Sequence, residues 1–335
     1  MIYPLLRISR LTGPAIFYPE ARLPALGLIS LLLMLAAAAC SSAAAPVDSP
    51  GTVPGAVETP QFGGPAVSAV IITTDLAVGP NRVVFGLVDR DGMPVRVSEA
   101  RVQGVYIQPN PQPGQQSAEV RAEGLAKFMR WPVGQQGVFA TRLMLDKVGF
   151  WQLRVSAINT GGEPVTAQGA FEVKGNSATP TVGQPAPRSV TPTLEDVGGV
   201  ENLMMITSAN LPDPDLYRLS VHTALESGRP LVLVFSTPAF CVSATCGPQV
   251  EIISQVKEKF RDQANFIHVE VFKDPHLLQG DRPVGGTVAA VDEWNLPSEP
   301  WTFVMDGQGR VRAKFEQFTV GQEIEAALSE VLEAG

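Results

Sequence analysis

The chain has 335 residues, with 25 basic and 33 acidic side chains and a formal net charge of −8. At roughly 100–200 residues per domain it holds two modest domains rather than one large core, and its acidity leaves no electrostatic footprint for a phosphate backbone, which excludes nucleic acid as a general partner. Charged residues reach only 17%, while 31 Gly and 29 Pro point to linkers and turn-rich β structure.

The first predicted element is an export segment. Residues Ala25–Ala39 are apolar, follow Arg7, Arg10 and Arg22, and end at Cys40. Fifteen apolar residues match a signal-peptide core and fall short of the ~20 needed to span a bilayer. A single such segment excludes a polytopic transporter. Small residues before Cys40, followed by Ser41-Ser42, resemble the lipobox of bacterial lipoproteins, with Ala37 where that family favours Leu. The resemblance implies cleavage after residue 39 and lipidation of Cys40. An uncleaved anchor and a plain secretion signal are the alternatives, and all three place the remainder outside the cytoplasm. Residues 40–66 carry five prolines and no apolar period, which predicts a tether.

Residues 67–174 show period-2 alternation. Phe139, Thr141, Leu143 and Leu145 share one face of a strand, as do Trp151, Leu153, Val155 and Ala157 of the next. Further strands are expected at Ala69–Leu76, Val83–Val88, Ala100–Gln108 and Val165–Val173, with Asp91-Gly92 as a hairpin turn. About seven short strands predict an all-β immunoglobulin-like sandwich. The run 137–157 resembles the closing strands of small secreted immunoglobulin-like domains, including the copper-resistance sandwiches. The unit lacks histidine, so no copper role is expected of it.

Residues 175–199, with four prolines, read as a Pro/Thr-rich linker. Beyond it helix and strand alternate. Helices are expected at Leu216–Ser227 and Pro248–Phe260, with buried strands at Pro230–Ser236 and Asn265–Phe272. Trp301–Met305 and Val311–Phe315 flank a hairpin turn at Asp306-Gly307. A last helix is expected from Thr319, with Gln322 at capping-box spacing and Ile324, Ala327, Leu328 and Val331 inward. That order predicts a short mixed sheet covered by helices on both faces. Residues 200–335 hold 19 acidic and 10 basic side chains, so this unit carries the whole charge imbalance.

Cys241 and Cys246 remain as an even pair in an oxidising compartment. They lie between the apolar strand and a helix opening Gly247-Pro248, which puts Cys246 beside the positive end of a helix dipole, where a thiolate is favoured. The run 235–248 (FSTPAFCVSATCGP) resembles the strand–loop–helix of thioredoxin-fold proteins, and Ser298-Glu299-Pro300-Trp301-Thr302 resembles their cis-proline loop. Here four residues rather than two separate the cysteines, so either Cys241 or Cys246 fills the attacking position. The resemblance implies an α/β thioredoxin-like domain over 200–335, catalytic cysteines Cys241 and Cys246, and a partner groove shaped by Pro300 and Trp301. Two readings follow. One is thiol–disulfide exchange on exported proteins with thiols or disulfides, needing no cofactor and no metal. The other is a non-enzymatic envelope protein whose Cys241–Cys246 disulfide is structural. A copper-chaperone role on the same fold is disfavoured because residues 293–306 lack histidine and His222, His268 and His276 lie elsewhere.

Overall fold

A computed structural model describes residues 66–112, 116–131, 137–243 and 245–334. The expected signal peptide, Cys40 and the tether as far as residue 65 lie outside the described residues. Seven strands come first: β1 (Val67–Ile71), β2 (Gly79–Asp89), β3 (Glu99–Ile107), β4 (Ala118–Arg130), β5 (Gly137–Leu145), β6 (Gly149–Ile158) and β7 (Pro164–Val173). Strands β1, β2 and β5 form one side, and β3, β6 and β7 the other, the partition of an immunoglobulin-type sandwich. The two sides are joined at both corners. β4 pairs with β3 over Ala118–Lys127 and with β5 over Lys127–Arg130. β1 lies antiparallel to β2 and parallel to β7, so hydrogen bonding runs all the way round as a closed barrel.

Alternation along the strands builds the core. Val83, Phe85, Leu87, Phe139, Leu143, Leu145, Trp151, Leu153 and Val155 turn inward together. The turn at Asp91-Gly92 forms, with Gly92 N–H donating to Asp89 C=O. Only a bridge, Val88 to Pro94, follows it, because the next strand pairs elsewhere. On the outer face of β2, Val84 is buried with Val138 and Ala140 of the same domain, while neighbouring Arg82 donates to the carbonyls of Glu316 and Phe318. The second domain therefore packs on this face.

The second domain contains α1 (Val221–Glu226), β8 (Leu231–Ser236), α2 (Cys246–Phe260), β9 (Asn265–Glu270), a small hairpin of β10 (Leu278–Gln279) and β11 (Arg282–Pro283), α3 (Ala289–Glu293), β12 (Trp301–Met305), β13 (Val311–Glu316) and α4 (Gly321–Ala334). Its sheet runs β13-β12-β8-β9, with β8 and β9 parallel and the other neighbours antiparallel. β8 is buried along its whole length because it has a core on each face. Leu231, Leu233 and Phe235 pack with Val221, Leu225, Trp294 and Phe303. Val232 and Val234 pack with Val250, Ile253, Ile324 and Leu328.

Three expectations need revision. The helix expected at Leu216–Ser227 is a 3-10 turn at Pro214–Tyr217 followed by α1, restarted where the Ser220 hydroxyl accepts from Thr223 N–H. Thr319 does not open the last helix: it is buried, its N–H donates to Gln249 Oε1 at 2.9 Å and its hydroxyl to Gln317 C=O at 3.2 Å, and α4 begins at Gly321. Residues 175–199 are not a free linker but a strap along the edge of β13. Gly183 N–H donates to Val311 C=O, Val311 N–H to Gln184 C=O, and Ala186 N–H to Gly309 C=O. Thr179, Ala186, Ser189 and Thr191 are buried. Proline removes donors and so resembles linker composition, yet an open strand edge needs only the donors and acceptors that remain.

Candidate functional site at the cysteine loop

Strand β8 delivers the chain to a loop that starts at Thr237 and leads to α2 at Cys246. Cys241 and Cys246 lie at disulfide distance, with Cα atoms 5.9 Å apart. Their surroundings differ. Cys246 is fully buried, and its carbonyl accepts from Ser236 Oγ at 3.0 Å. Cys241 is half-buried, with Ser243 Oγ 3.2 Å from its sulfur, and Val242 beside it is 92% exposed. Of the two cysteines, only Cys241 has surface open to solvent or a partner.

The first half of the loop is anchored. Phe240 packs edge-on against Phe272 with ring centres 5.8 Å apart. Ala239 N–H donates to Ser208 Oγ, and Ser208 donates through N–H and hydroxyl to Glu270 at 2.9 and 2.6 Å. Glu270 sits opposite Ser236 in the β8–β9 register. Burial pushes the Glu270 carboxyl above the ordinary range, against the opposing pull of these hydrogen bonds.

Pro300 follows a cis peptide bond and directly precedes β12. Trp301 pairs with Phe235, so the proline loop and the cysteine loop leave the same end of the sheet. Gln249, in the first turn of α2, ties the two together: its Nε2 donates to Thr302 Oγ1 at 3.5 Å and its Oε1 accepts from Thr319 N–H. Trp301, expected at the partner groove with Pro300, is 1% exposed. Its ring stacks on Phe303 and its Nε1 donates to Ser298 Oγ at 3.1 Å. Burial raises the Glu299 carboxyl.

Among the histidines, His222 is half-buried with its Nε2 3.2 Å from Glu226, whereas His268 is buried. Glu270 escaped the sequence reading, and Ser298 entered it only as part of the cis-proline motif, with no role of its own. Glu270 alone had a signal, a carboxylate inside the otherwise apolar strand 265–272.

No protein-family model matches the chain, and no curated protein matches it. Among solved structures, the fibronectin type-III domain of human fibronectin type III domain containing protein 3 aligns at 11% identity, over 34% of this chain and 89% of that one, with a TM-score of 0.19. CopC from Methylosinus trichosporium aligns at 12% identity over 32% and 95%, with a TM-score of 0.20. Murine CRIg aligns at 11% identity over 33% and 98%, with a TM-score of 0.20. The immunoglobulin-type description of the first domain rests on its own strand order.

Proposed function

We propose that the second domain is thioredoxin-like and that the protein is an extracytoplasmic thiol–disulfide oxidoreductase for exported proteins, tethered through a lipidated Cys40. The observation that carries this reading is the asymmetric cysteine pair at a strand-to-helix junction, one sulfur reachable and the other sealed. Its support includes the sheet order β13-β12-β8-β9 and the position of Pro300 at the same end of the sheet.

A substrate thiolate attacks Cys241 Sγ, the Cys241–Cys246 bond breaks, and Cys246 leaves as a thiolate at the N-terminal end of α2, where backbone N–H groups favour negative charge. A second substrate thiolate then attacks the substrate sulfur of the mixed disulfide and Cys241 leaves. The substrate loses two electrons and two protons and the pair gains them, so exchange requires no cofactor. Run backwards, the same steps reduce a substrate disulfide, with Cys241 attacking and Cys246 resolving.

The burial of Cys246 equally suits a fixed staple in a binding protein, the second reading. Trapping separates them. Cys246→Ser is expected to accumulate mixed disulfides on Cys241 with other envelope proteins, while Cys241→Ser accumulates none. If neither variant traps a partner, and the wild-type pair persists in millimolar glutathione, the exchange reading is lost and the staple remains.

A further inference from the structure

We propose that the β-domain is a working part of the exchange site: its residues Thr74 and Asp75 hold the proline loop, residues 298–301, in position through the carboxylate of Glu316. This rests on the thiol–disulfide reading for its consequence in turnover, although the mechanical link can be measured without it.

Glu316 ends β13, directly opposite Trp301 in the β12–β13 register, and is 4% exposed. From the β-domain it accepts Thr74 N–H at 3.0 and 2.9 Å, Thr74 Oγ1 at 2.6 Å and Asp75 N–H at 3.1 Å. From the proline loop it accepts Ser298 Oγ at 2.9 Å. A carboxylate offers about four lone-pair sites, so these donors use its full capacity and fix its orientation from both sides. Ser298 passes the constraint on, since its hydroxyl oxygen accepts Trp301 Nε1, and the next residue, Gln317, donates its N–H to the Pro300 carbonyl at 2.8 Å.

A second tie, which shares Asp75 with the first, runs alongside. Lys314 lies over the Trp301 ring at 5.6 Å, and its Nζ donates to Asp75 of the β-domain at 3.2 Å and to Ser177 and Thr179 of the strap at 2.6 and 2.9 Å. Pro300 and Trp301 are thus bracketed by two charged side chains of β13, each locked to the β-domain. Neither Glu316 nor Lys314 reaches the cysteine loop through any of these bonds. The β-domain consequently sets how a bound partner is seated and leaves the electron affinity of the disulfide alone.

The test compares Thr74→Ala, in the β-domain, with Glu316→Gln and Ser298→Ala, using the full chain. Thr74→Ala and Ser298→Ala each delete one hydrogen bond to a buried anion, and Glu316→Gln removes the anion's charge and one of its accepting oxygens, which predicts local opening of residues 298–302 raised about tenfold or more in amide hydrogen exchange. The ladder around Val83–Phe85 should be unchanged. Thr74→Ser, which keeps the hydroxyl, should restore wild-type exchange. With a protein substrate, KM should rise several-fold while kcat and the reduction potential of the pair hold. Amides at 298–302 that exchange as in wild type in all three variants overturn the proposal, and so does loosening with an unaltered KM. Loosened amides in variants of a protein that turns over no substrate sustain the mechanical link and defeat only the oxidoreductase reading.

Discussion

His268 illustrates how a buried polar residue behaves on this scaffold. Burial lowers its pKa to about 4, with the Ser236 carbonyl pulling weakly the other way. The neutral ring donates from Nε2 to Ser236 C=O at 3.2 Å, and its Nδ1 lies 2.6 Å from the Tyr217 hydroxyl oxygen. An unfolded histidine takes its proton near 6.5. Between that value and about 4 the unfolded chain binds more protons, so this contribution is complete above the upper limit and is lost as pH falls through the window. Glu270, raised by burial, has the opposite sign: its contribution fades as pH rises through its folded pKa. Comparing wild type with His268→Gln isolates the histidine. The variant should be less stable by about 1–3 kcal/mol at pH 7, and the gap in urea midpoint should close toward pH 4. A gap independent of pH would mean that the ring is not held neutral. At this scale the cysteines were legible as a pair, but their asymmetry was not drawn from the sequence. Its clue is helical phase, since Cys246, Val250 and Ile253 fall at i, i+4 and i+7 on the buried face of α2.

Among the elements, legibility followed the contrast between faces. β5, β6, β8 and β12 alternate or run apolar and could be read directly. β4 could not, because only Ala122 and Ala126 of its inward residues are fully buried and its other face carries Glu119, Arg121, Glu123 and Lys127. Small inward residues and charged outward ones give alternation without hydrophobic amplitude. The start of α4 was misread for another reason: Thr319 has capping chemistry, but a side chain 70 residues away claims its N–H. Glycine placement adds a constraint invisible in sequence. A Cβ on Gly169 of β7 would sit 2.1 Å from the Ala69 carbonyl of β1, at the corner where the barrel closes. Gly169→Ala is therefore expected to cost about 1–3 kcal/mol through forced displacement of β1. Gly86→Ala, where a Cβ meets nothing within 4 Å, should stay within about 0.5 kcal/mol of wild type. Equal melting temperatures for the two variants would show that β1 yields freely and does not lock the barrel.

On the scale of the whole molecule, the boundary between the domains is where sequence and structure diverge most. Proline-rich composition separates residues 67–174 from 200–335, yet the strap and the polar contacts bind them into one body. Asp75 is the hinge of that union. It accepts Ser177 Oγ, Ala178 N–H at 2.8 Å, Thr179 N–H and Oγ1 at 3.2 and 2.8 Å, and Lys314 Nζ. Burial alone would raise its pKa; the bonds from Ser177 and Ala178, the Lys314 charge and Thr179 outweigh it and hold the carboxyl at about 2. Its contribution is therefore complete above the unfolded value of 3.8 and is lost as pH falls from there toward 2. Removing the carboxylate strands the Lys314 ammonium, which burial already disfavours. Asp75→Ala should cost about 3 kcal/mol at pH 7. Because Asp75 joins the β-domain, the strap and β13 at once, the loss should fall on coupling rather than on either core. Calorimetry of the wild type should give one cooperative transition, and of Asp75→Ala two, with the second domain still melting as a unit. A single transition in the variant at the wild-type temperature would mean that the bonds from Arg82 to Glu316, Phe318 and Glu323 suffice to hold the domains together and that the Asp75 network adds nothing to them.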